Sequence, residues 1–291
     1  MRFSGGLLLM ASCSAAGAPS DRPGLLGAVT FYASFDEAVR ADVGGGALEP
    51  STRSNHKTEK GAFVFEKGVP ASAFRIAPGG GVSGGALEAT DVLPDNGRIF
   101  FPAKGNLAIR EGGWGATLSV WINFDPDVQL KTKFCDPVQI TQKGAGNGGL
   151  WFDFDDAKPR RNLRMGAFPA VPAGAKPIAE SREAFSPMAW VDDPGFRVGE
   201  WHHVALVWRN LDSGRPDGRA ALFIDGRLRG EVKDKPYPLT MDWDLDQVGL
   251  YVAVSYIGLL DELALFDRPL GEDELSLLAG RPDLLSPLRR R

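Results

Sequence analysis

The ten residues at 257–266 read Ile257-Gly258-Leu259-Leu260-Asp261-Glu262-Leu263-Ala264-Leu265-Phe266. Successive side chains of an extended strand point to opposite faces, so this run predicts a strand that is apolar on both sides. Asp261 would then share one face with Ile257, Leu259, Leu263 and Leu265. A carboxylate in such surroundings needs a cation or several hydrogen-bond donors. The run therefore indicates a buried strand that carries one chemically informative acid.

Patterns of period two recur along the chain and predict further half-buried strands. They lie at residues 29–35, 118–124, 201–209, 219–225 and 248–254. The pair Asp225-Gly226 stands between two apolar runs, which is typical of a hairpin turn. With 36 Gly and 21 Pro among 291 residues, the chain is rich in turns and is not expected to be mainly helical. These features predict an all-β sandwich or barrel.

We expect a single β domain at residues 25–270, since no internal repeat interrupts the pattern. After it, Gly271 can cap a short helix whose apolar stripe contains Leu275 and Leu278. Residues 271–291 are therefore predicted to form this helix, docked on the sandwich edge, and a basic tail. The proline-rich segment at 169–187 is predicted to be a long ordered loop.

Composition excludes several classes of protein. The chain has 33 basic and 37 acidic residues and a net charge of −4, so it lacks the basic excess that a nucleic-acid partner requires. No apolar run approaches the roughly 18 residues that cross a bilayer, and a transmembrane segment is not expected. Hydrophobic residues make up 43% of the chain, which is enough for a large core.

The first 18 residues resemble an export signal. A short charge at Arg2 precedes an apolar stretch and a run of small residues. The sequence Met10-Ala11-Ser12-Cys13 is also similar to a lipobox, in which the cysteine becomes the lipid anchor. We expect a lipoprotein of the cell envelope or a secreted protein, with a disordered cytosolic leader as the alternative. If Cys13 is lipidated, Cys135 is a single leftover thiol and provides no disulfide framework.

The run at 151–155 is the first candidate for a ligand site. Trp151, Asp153 and Asp155 share one strand face. Sugar sites combine aromatic ring faces with carboxylates that accept hydroxyl donors. An ordinary exposed polar face is the alternative interpretation, and the two carboxylates are also spaced closely enough for glycosidase chemistry. We expect Trp151 to be partly exposed on a concave sheet, with Trp190, Trp243 and Tyr237 as the next candidates.

Two further motifs do not carry function. Residues 144–149 contain the spacing G-x-G-x-x-G, but a dinucleotide fingerprint must open a helix. The residues that follow alternate like a strand, so a hairpin turn is expected. His202 and His203 are adjacent on a predicted strand and point to opposite faces, so they cannot chelate one metal ion.

Several segments together resemble a known family. The segments are Phe35-Asp36-Glu37, Gly85-Ala86-Leu87, Leu118-Ser119-Val120-Trp121-Ile122, Trp201-His202-His203-Val204-Ala205, Leu222-Phe223-Ile224-Asp225-Gly226, Gly258-Leu259-Leu260-Asp261-Glu262-Leu263 and Phe266-Asp267-Arg268-Pro269-Leu270. In order and spacing they are similar to the laminin G-like (pentraxin-like) domains of bacterial envelope proteins, within the concanavalin A-like lectin/glucanase superfamily. The resemblance implies a jelly-roll sandwich of two curved antiparallel sheets.

The resemblance also implies a structural calcium ion. Its ligands would be Asp36 and Asp261, with a backbone carbonyl near Gly84 or Gly85 as the third. Jelly-roll glucanases of this superfamily carry E-x-D-x-x-E on one strand. The nearest run here, at 153–158, ends in Lys158 and contains no Glu. That departure argues against catalysis, because the acid/base partner is missing.

The sequence therefore favours an exported, non-catalytic module that binds a glycan or an envelope protein and contains calcium. A polysaccharide hydrolase or lyase of the same fold is the first alternative. A structural or adhesion component of the cell surface is the second. Paired carboxylates would indicate the enzyme, exposed aromatic rings without such a pair would indicate binding, and an extended apolar patch would indicate the structural component.

Overall fold

The structure, a computed structural model, describes residues 22–59 and 61–289. The predicted leader at 1–18, with Cys13, lies outside the described residues, as do Arg290 and Arg291 of the predicted tail. Seventeen strands make up most of the described part. No helix in the described ranges is long and apolar enough to span a membrane.

The first eight strands are β1 (Val29–Ala33), β2 (Val43–Gly44), β3 (Ser51–Asn55), β4 (Phe63–Lys67), β5 (Phe74–Ala77), β6 (Ala86–Ala89), β7 (Arg98–Pro102) and β8 (Trp114–Asn123). The others are β9 (Cys135–Thr141), β10 (Gly149–Phe154), β11 (Leu163–Phe168), β12 (Met188–Val191), β13 (His202–Leu211), β14 (Arg219–Ile224), β15 (Arg227–Val232), β16 (Gly249–Val254) and β17 (Gly258–Phe266). Helices are α1 (Arg22–Gly27), α2 (Pro126–Gln129) and α3 (Glu272–Gly280), with 3-10 helices at Pro94–Asn96 and Pro282–Leu288.

The strands form two antiparallel sheets. The nine-stranded sheet has the order β15-β14-β13-β8-β17-β1-β2, and β6 pairs with β17 and with β5. The eight-stranded sheet has the order β12-β11-β10-β9-β16-β7-β3-β4. Neighbours in space come from distant parts of the chain, as in β1 beside β17. This arrangement confirms the predicted all-β, jelly-roll sandwich.

The core lies between the inner faces of the two sheets. Phe31, Phe101, Phe152, Trp208 and Leu250 are fully buried there. Burial of each such side chain contributes about 1.5–3 kcal/mol, so the core alone supplies the main stabilising term. Cys135, with a free thiol, belongs to this core.

A bulge in β17 changes which residues share a face with Asp261. The register shifts between Asp261 and Ala264, and Glu262 has a φ of 52°. A residue in that conformation interrupts the alternation of side chains. Leu263 and Leu265 therefore enter the core cluster between the sheets, as Leu260 does. The prediction that Asp261 shares their face is wrong, because strict alternation does not anticipate the bulge.

The predicted C-terminal helix is present as α3. Glu274 accepts a hydrogen bond from the Gly271 backbone N–H at 3.0 Å, which caps the first turn. Leu275 and Leu278 are buried in a second apolar cluster with Phe223 and Phe266. The helix therefore covers the outer face of the nine-stranded sheet rather than the sandwich edge.

Candidate functional site

The outer faces of the two sheets differ in character. On the nine-stranded sheet, an apolar cluster lies beneath the terminal helices; it includes Leu25, Tyr32, Phe266, Leu275 and Leu285. The outer face of the eight-stranded sheet instead carries charged and aromatic side chains. They follow one another across the strands in the order Arg164, Asp153, Asp136, Arg98 and Arg53. This second face is the candidate site.

Asp153 and Arg164 form a buried ion pair at one end of the face. They are cross-strand partners on β10 and β11, and each is at most 5% exposed. Arg164 Nε donates to Asp153 Oδ1 at 2.8 Å, and Nη2 donates to Oδ2. Arg164 Nη1 also donates to Glu180 of the proline-rich loop at 3.1 Å. Burial raises the pKa of Asp153 to about 7, while Arg164 opposes that rise.

Asp136 lies between the pair and the rest of the face, and no sequence pattern indicated it. It is half-buried on β9, within electrostatic range of Asp153, Arg98 and Arg164. Burial raises its pKa well above the ordinary range, and the neighbouring Asp153 raises it further. The centre of the face therefore holds a carboxyl group whose pKa its surroundings shift upward.

Two arginines occupy the other end. Arg53 on β3 is directly opposite Arg98 on β7. Each guanidinium lies 4.9 Å from the centre of the Tyr251 ring, on β16. The Arg53 guanidinium also stacks 3.3 Å from the centre of the Phe63 ring. Sequence reasoning missed these residues, because they come from three strands that are far apart in the chain.

Exposed aromatic rings border the arginines. Phe63 is 42% exposed and Phe65 is 54% exposed, both on the edge strand β4. The Phe65 ring packs edge to face on Phe100, with the ring centres 5.1 Å apart. Aromatic rings next to polar side chains are the usual composition of a sugar site.

Trp151 is not exposed, contrary to the prediction. It lies on the outer face of the eight-stranded sheet but is only 1% exposed. Its ring stacks on Phe168 with the ring centres 5.8 Å apart, and its Nε1 donates to the Ala145 carbonyl at 3.0 Å. Ile178 of the proline-rich loop packs on the same cluster. The loop covers the ring, and strand alternation alone cannot predict such a cover.

Asp155 stabilises a turn. Its Oδ1 accepts hydrogen bonds from the Ala157 and Asn162 backbone N–H groups, and its Oδ2 accepts one from the Asn162 side chain at 2.8 Å. Asp153 and Asp155 are 3% and 8% exposed. These two residues are therefore neither part of an exposed polar face nor a free carboxylate pair, because both carboxylates accept hydrogen bonds from protein donors.

The other predicted aromatic residues lie in different places. Trp190 belongs to the candidate face: it is half-buried, with the guanidinium groups of Arg164 and Arg182 5.1 and 4.3 Å from its ring centre. Trp243 packs against the core near Trp114 and donates from Nε1 to the Gly148 carbonyl at 2.7 Å. Tyr237 lines a separate, largely apolar groove with residues of the 169–187 loop.

The structure brings Asp36, Gly85 and Asp261 together around the loop at 81–85. The Gly85 N–H donates to Asp36 Oδ1 at 2.8 Å, and the Ser83 N–H donates to Asp261 Oδ2 at 3.2 Å. A Cβ atom at Gly81 would lie 2.5 Å from Asp261 Oδ2 and still closer to the Gly85 carbonyl oxygen. These two oxygens therefore face a common space that only glycine leaves open.

The donors at this position fit a cation in part. Asp261 is fully buried, and burial together with the charge of Glu262 raises its pKa to about 8. A cation next to Asp261 and the Gly85 carbonyl would offset that cost. Asp36 is less suited, because its Oδ2 is paired with Arg289 Nη1 at 3.1 Å. Within residues 22–59 and 61–289, no group of three or more His, Cys, Asp or Glu side chains could hold a metal ion.

The sequence profile of the concanavalin A-like lectin/glucanases superfamily matches residues 100–276. No curated protein sequence matches the chain.

Among solved structures, the chain is similar to domain 4 of AbnA, a GH43 extracellular arabinanase from Geobacillus stearothermophilus, in complex with arabinotriose. The identity is 16%, the match covers 86% of this chain and 98% of that one, and the TM-score is 0.49. The receptor binding domain of botulinum neurotoxin D is 13% identical over 80% of this chain and 52% of its own, with a TM-score of 0.44. Trypanosoma rangeli sialidase is 15% identical over 81% of this chain and 33% of its own, with a TM-score of 0.44.

Proposed function

The chain belongs to the concanavalin A-like lectin/glucanases superfamily, and from this premise we propose that it is a non-catalytic module that binds a glycan on the outer face of its eight-stranded sheet. The observation that carries the proposal is the basic and aromatic end of that face. There Arg53 and Arg98 lie beside Tyr251, and the rings of Phe63 and Phe65 remain exposed. Rings provide stacking surfaces for sugars, and guanidinium groups donate to sugar oxygens.

The carboxylates support binding rather than catalysis. Asp153 accepts hydrogen bonds from Arg164 Nε and Nη2, and Asp155 accepts three hydrogen bonds within its own turn. A general acid or base must reach the proton that it moves, and these groups are committed to protein donors. Export to the cell surface and a structural calcium at Asp261 and Gly85 are further parts of the proposal. An envelope protein is the alternative ligand.

A glycan array probed with the purified chain would test the proposal. The variant Phe65→Ala removes an exposed ring from the proposed site. The matched control is Phe185→Ala, because Phe185 is also 54% exposed but lies beside Tyr237 in the separate groove. We expect Phe65→Ala to weaken binding about tenfold, equivalent to about 1.4 kcal/mol, and Phe185→Ala to leave it unchanged. The opposite result would move the site to the separate groove, and absence of glycan binding would contradict the function.

One observation favours the enzyme as the second candidate. Asp136 and Asp153 are neighbouring carboxyl groups, and burial raises the pKa of both. Pairs of carboxyl groups with shifted pKa values are typical of glycosidases. Release of reducing ends from a panel of β-glucans, galactans and uronate polymers measures this activity. Sustained turnover that disappears in Asp136→Asn would establish the enzyme, whereas we expect no turnover.

A further inference from the structure

Arg53 and Arg98 form a pair of like charges on adjacent strands. Residues that are directly opposite in an antiparallel sheet have Cβ atoms about 5 Å apart, and like charges there are destabilising. Arg53 is only 4% exposed, and Arg98 is half-buried. Burial and the charge of Arg98 lower the pKa of Arg53 to about 10. The fold therefore holds two cations in a place where their repulsion is poorly screened.

The part of the chain that the structure describes provides no carboxylate to neutralise this pair. Among the described residues, none comes within ion-pair distance of either guanidinium. The carboxyl group that acts on Arg98 is Asp136, and burial together with Asp153 raises the pKa of that group well above its ordinary value. Tyr251 and Phe63 offer ring faces, which attract cations but carry no charge to balance them.

The terminal guanidinium nitrogens of two other buried arginines, Arg161 and Arg164, have acceptors within the chain. Arg164 is paired with Asp153 and Glu180. Arg161 donates to the backbone carbonyls of Lys133, Asp155 and Thr132. Arg98 Nε is buried without any acceptor, as Arg161 Nε is, but Arg98 lacks the carbonyl partners that the Arg161 Nη groups have. A buried donor without a partner costs about 1–3 kcal/mol, so an acceptor from outside the chain would stabilise this site.

We propose that Arg53 and Arg98 receive an anionic substituent of the glycan, a carboxylate or a sulfate ester, and that the ligand is therefore an acidic polysaccharide. The guanidinium fork matches both groups, with two parallel hydrogen bonds to a pair of oxygens. Phe63 and Phe65 would stack on the neighbouring sugar rings. That the ligand is a glycan rests on the proposed function. The new element is that this glycan is negatively charged.

The net charge of the chain bears on how binding should depend on salt. A chain of net charge −4 gives no long-range attraction for an acidic polymer, so recognition must depend on this local pair. Because only one or two ionic contacts would form, the affinity should decrease only weakly as the salt concentration rises. A strong salt dependence would instead indicate non-specific adsorption to surface lysines and arginines.

Isothermal titration of the purified chain can test the charge of the ligand. The probes are uronate and sulfated oligosaccharides, each compared with its carboxyl-reduced or desulfated form. We expect the acidic forms to bind at least tenfold more tightly, with the preference between carboxylate and sulfate identifying the substituent. In Arg98→Gln this difference should disappear. The control is Arg229→Gln, because Arg229 is exposed on β15 of the other sheet, and it should bind like the wild type.

Thermal unfolding without ligand provides a second readout. Arg98→Gln removes one of two adjacent like charges, so its melting temperature should equal or exceed that of the wild type. That result would also show that any loss of binding in Arg98→Gln is not caused by unfolding. Equal affinity for acidic and neutral forms, or a charge preference that persists in Arg98→Gln, would overturn the inference while leaving glycan binding intact. Failure to bind any oligosaccharide would contradict the proposed function itself.

Discussion

Arg289 Nη2 donates to Glu262 Oε1 at 2.7 Å and so fastens the end of the described chain to strand β17. Glu262 is 2% exposed, and Tyr32 donates to the same carboxylate. Arg289 also pairs with Asp36 and donates to the Ser83 carbonyl. Arg289, which was predicted to belong to a basic tail, is therefore part of a buried network that joins the first strand, the loop at 81–85 and the last strand.

Arg289→Ala should destabilise the fold. Removing one partner of a buried ion pair leaves Glu262 uncompensated, which typically costs about 3–5 kcal/mol. Urea unfolding followed by tryptophan fluorescence would measure the loss. Arg281→Ala is the control, because its ion pair with Asp283 is 3.8 Å long and exposed, and it should change stability by less than about 1 kcal/mol. Equal stability of the two variants would show that the network is unimportant.

Trp151→Ala should act on stability, since the ring is buried under the proline-rich loop. Truncation of a buried Trp costs about 3–5 kcal/mol. Gly166→Ala tests the same packing from the other side, because an added Cβ would clash with the indole ring; overpacking of this kind costs about 1–3 kcal/mol. Both losses can be read from denaturant midpoints. A Trp151→Ala chain with wild-type stability would mean that the loop does not cover the ring.

His203 should make stability depend on pH. It is fully buried, its Nε2 is 2.8 Å from Ser119 Oγ, and its Nδ1 is buried without a partner. Burial lowers its pKa from 6.5 to about 4, so the unfolded chain binds a proton more readily than the folded one. The stabilisation is therefore complete above pH 6.5 and falls as the pH decreases to 4, by about 3 kcal/mol in total.

The comparison variant for this prediction is His203→Gln, which keeps a side chain able to hydrogen-bond Ser119. Between pH 6.5 and 4, the free energy of unfolding of the wild type should fall relative to that of the variant. The slope should be the one expected when unfolding takes up one proton. His56→Gln is the control, because His56 is exposed in the loop after β3, and its profile should follow the wild type. Parallel profiles for wild type and His203→Gln would disprove the assignment.

Calcium should raise the melting temperature. Asp261 and the Gly85 carbonyl face a common space, and a cation there would offset the cost of the buried carboxylate. A ligand at 100 times its dissociation constant adds about 2.7 kcal/mol, which corresponds to a shift of several degrees. Melting with calcium and with chelator measures the shift, and Asp261→Asn should abolish it. Identical curves in both conditions for the wild type would refute the metal site.

The sequence alone determined the β-sandwich class, the Asp225-Gly226 turn and the C-terminal helix. These features depend on short-range rules: the two-residue period of a strand, the φ angles of two adjacent turn residues, and the capping of one helix. The same rules placed Asp36 in the first strand region and Asp261 in the last, and resemblance to the family suggested their approach. The bulge at Glu262 was not predicted, because the two-residue period of a strand does not indicate where a bulge interrupts the alternation of side chains.

Only the tertiary structure decided which side chains share the candidate face. Arg53, Arg98 and Tyr251 belong to β3, β7 and β16, which become neighbours through the order of strands in the sheet. That order is selected by how the apolar faces of all the strands are buried together, so no local stretch encodes it. The proline-rich loop covers Trp151 for the same reason. Exposure is a property of the assembled sandwich, whereas alternation is a property of the strand.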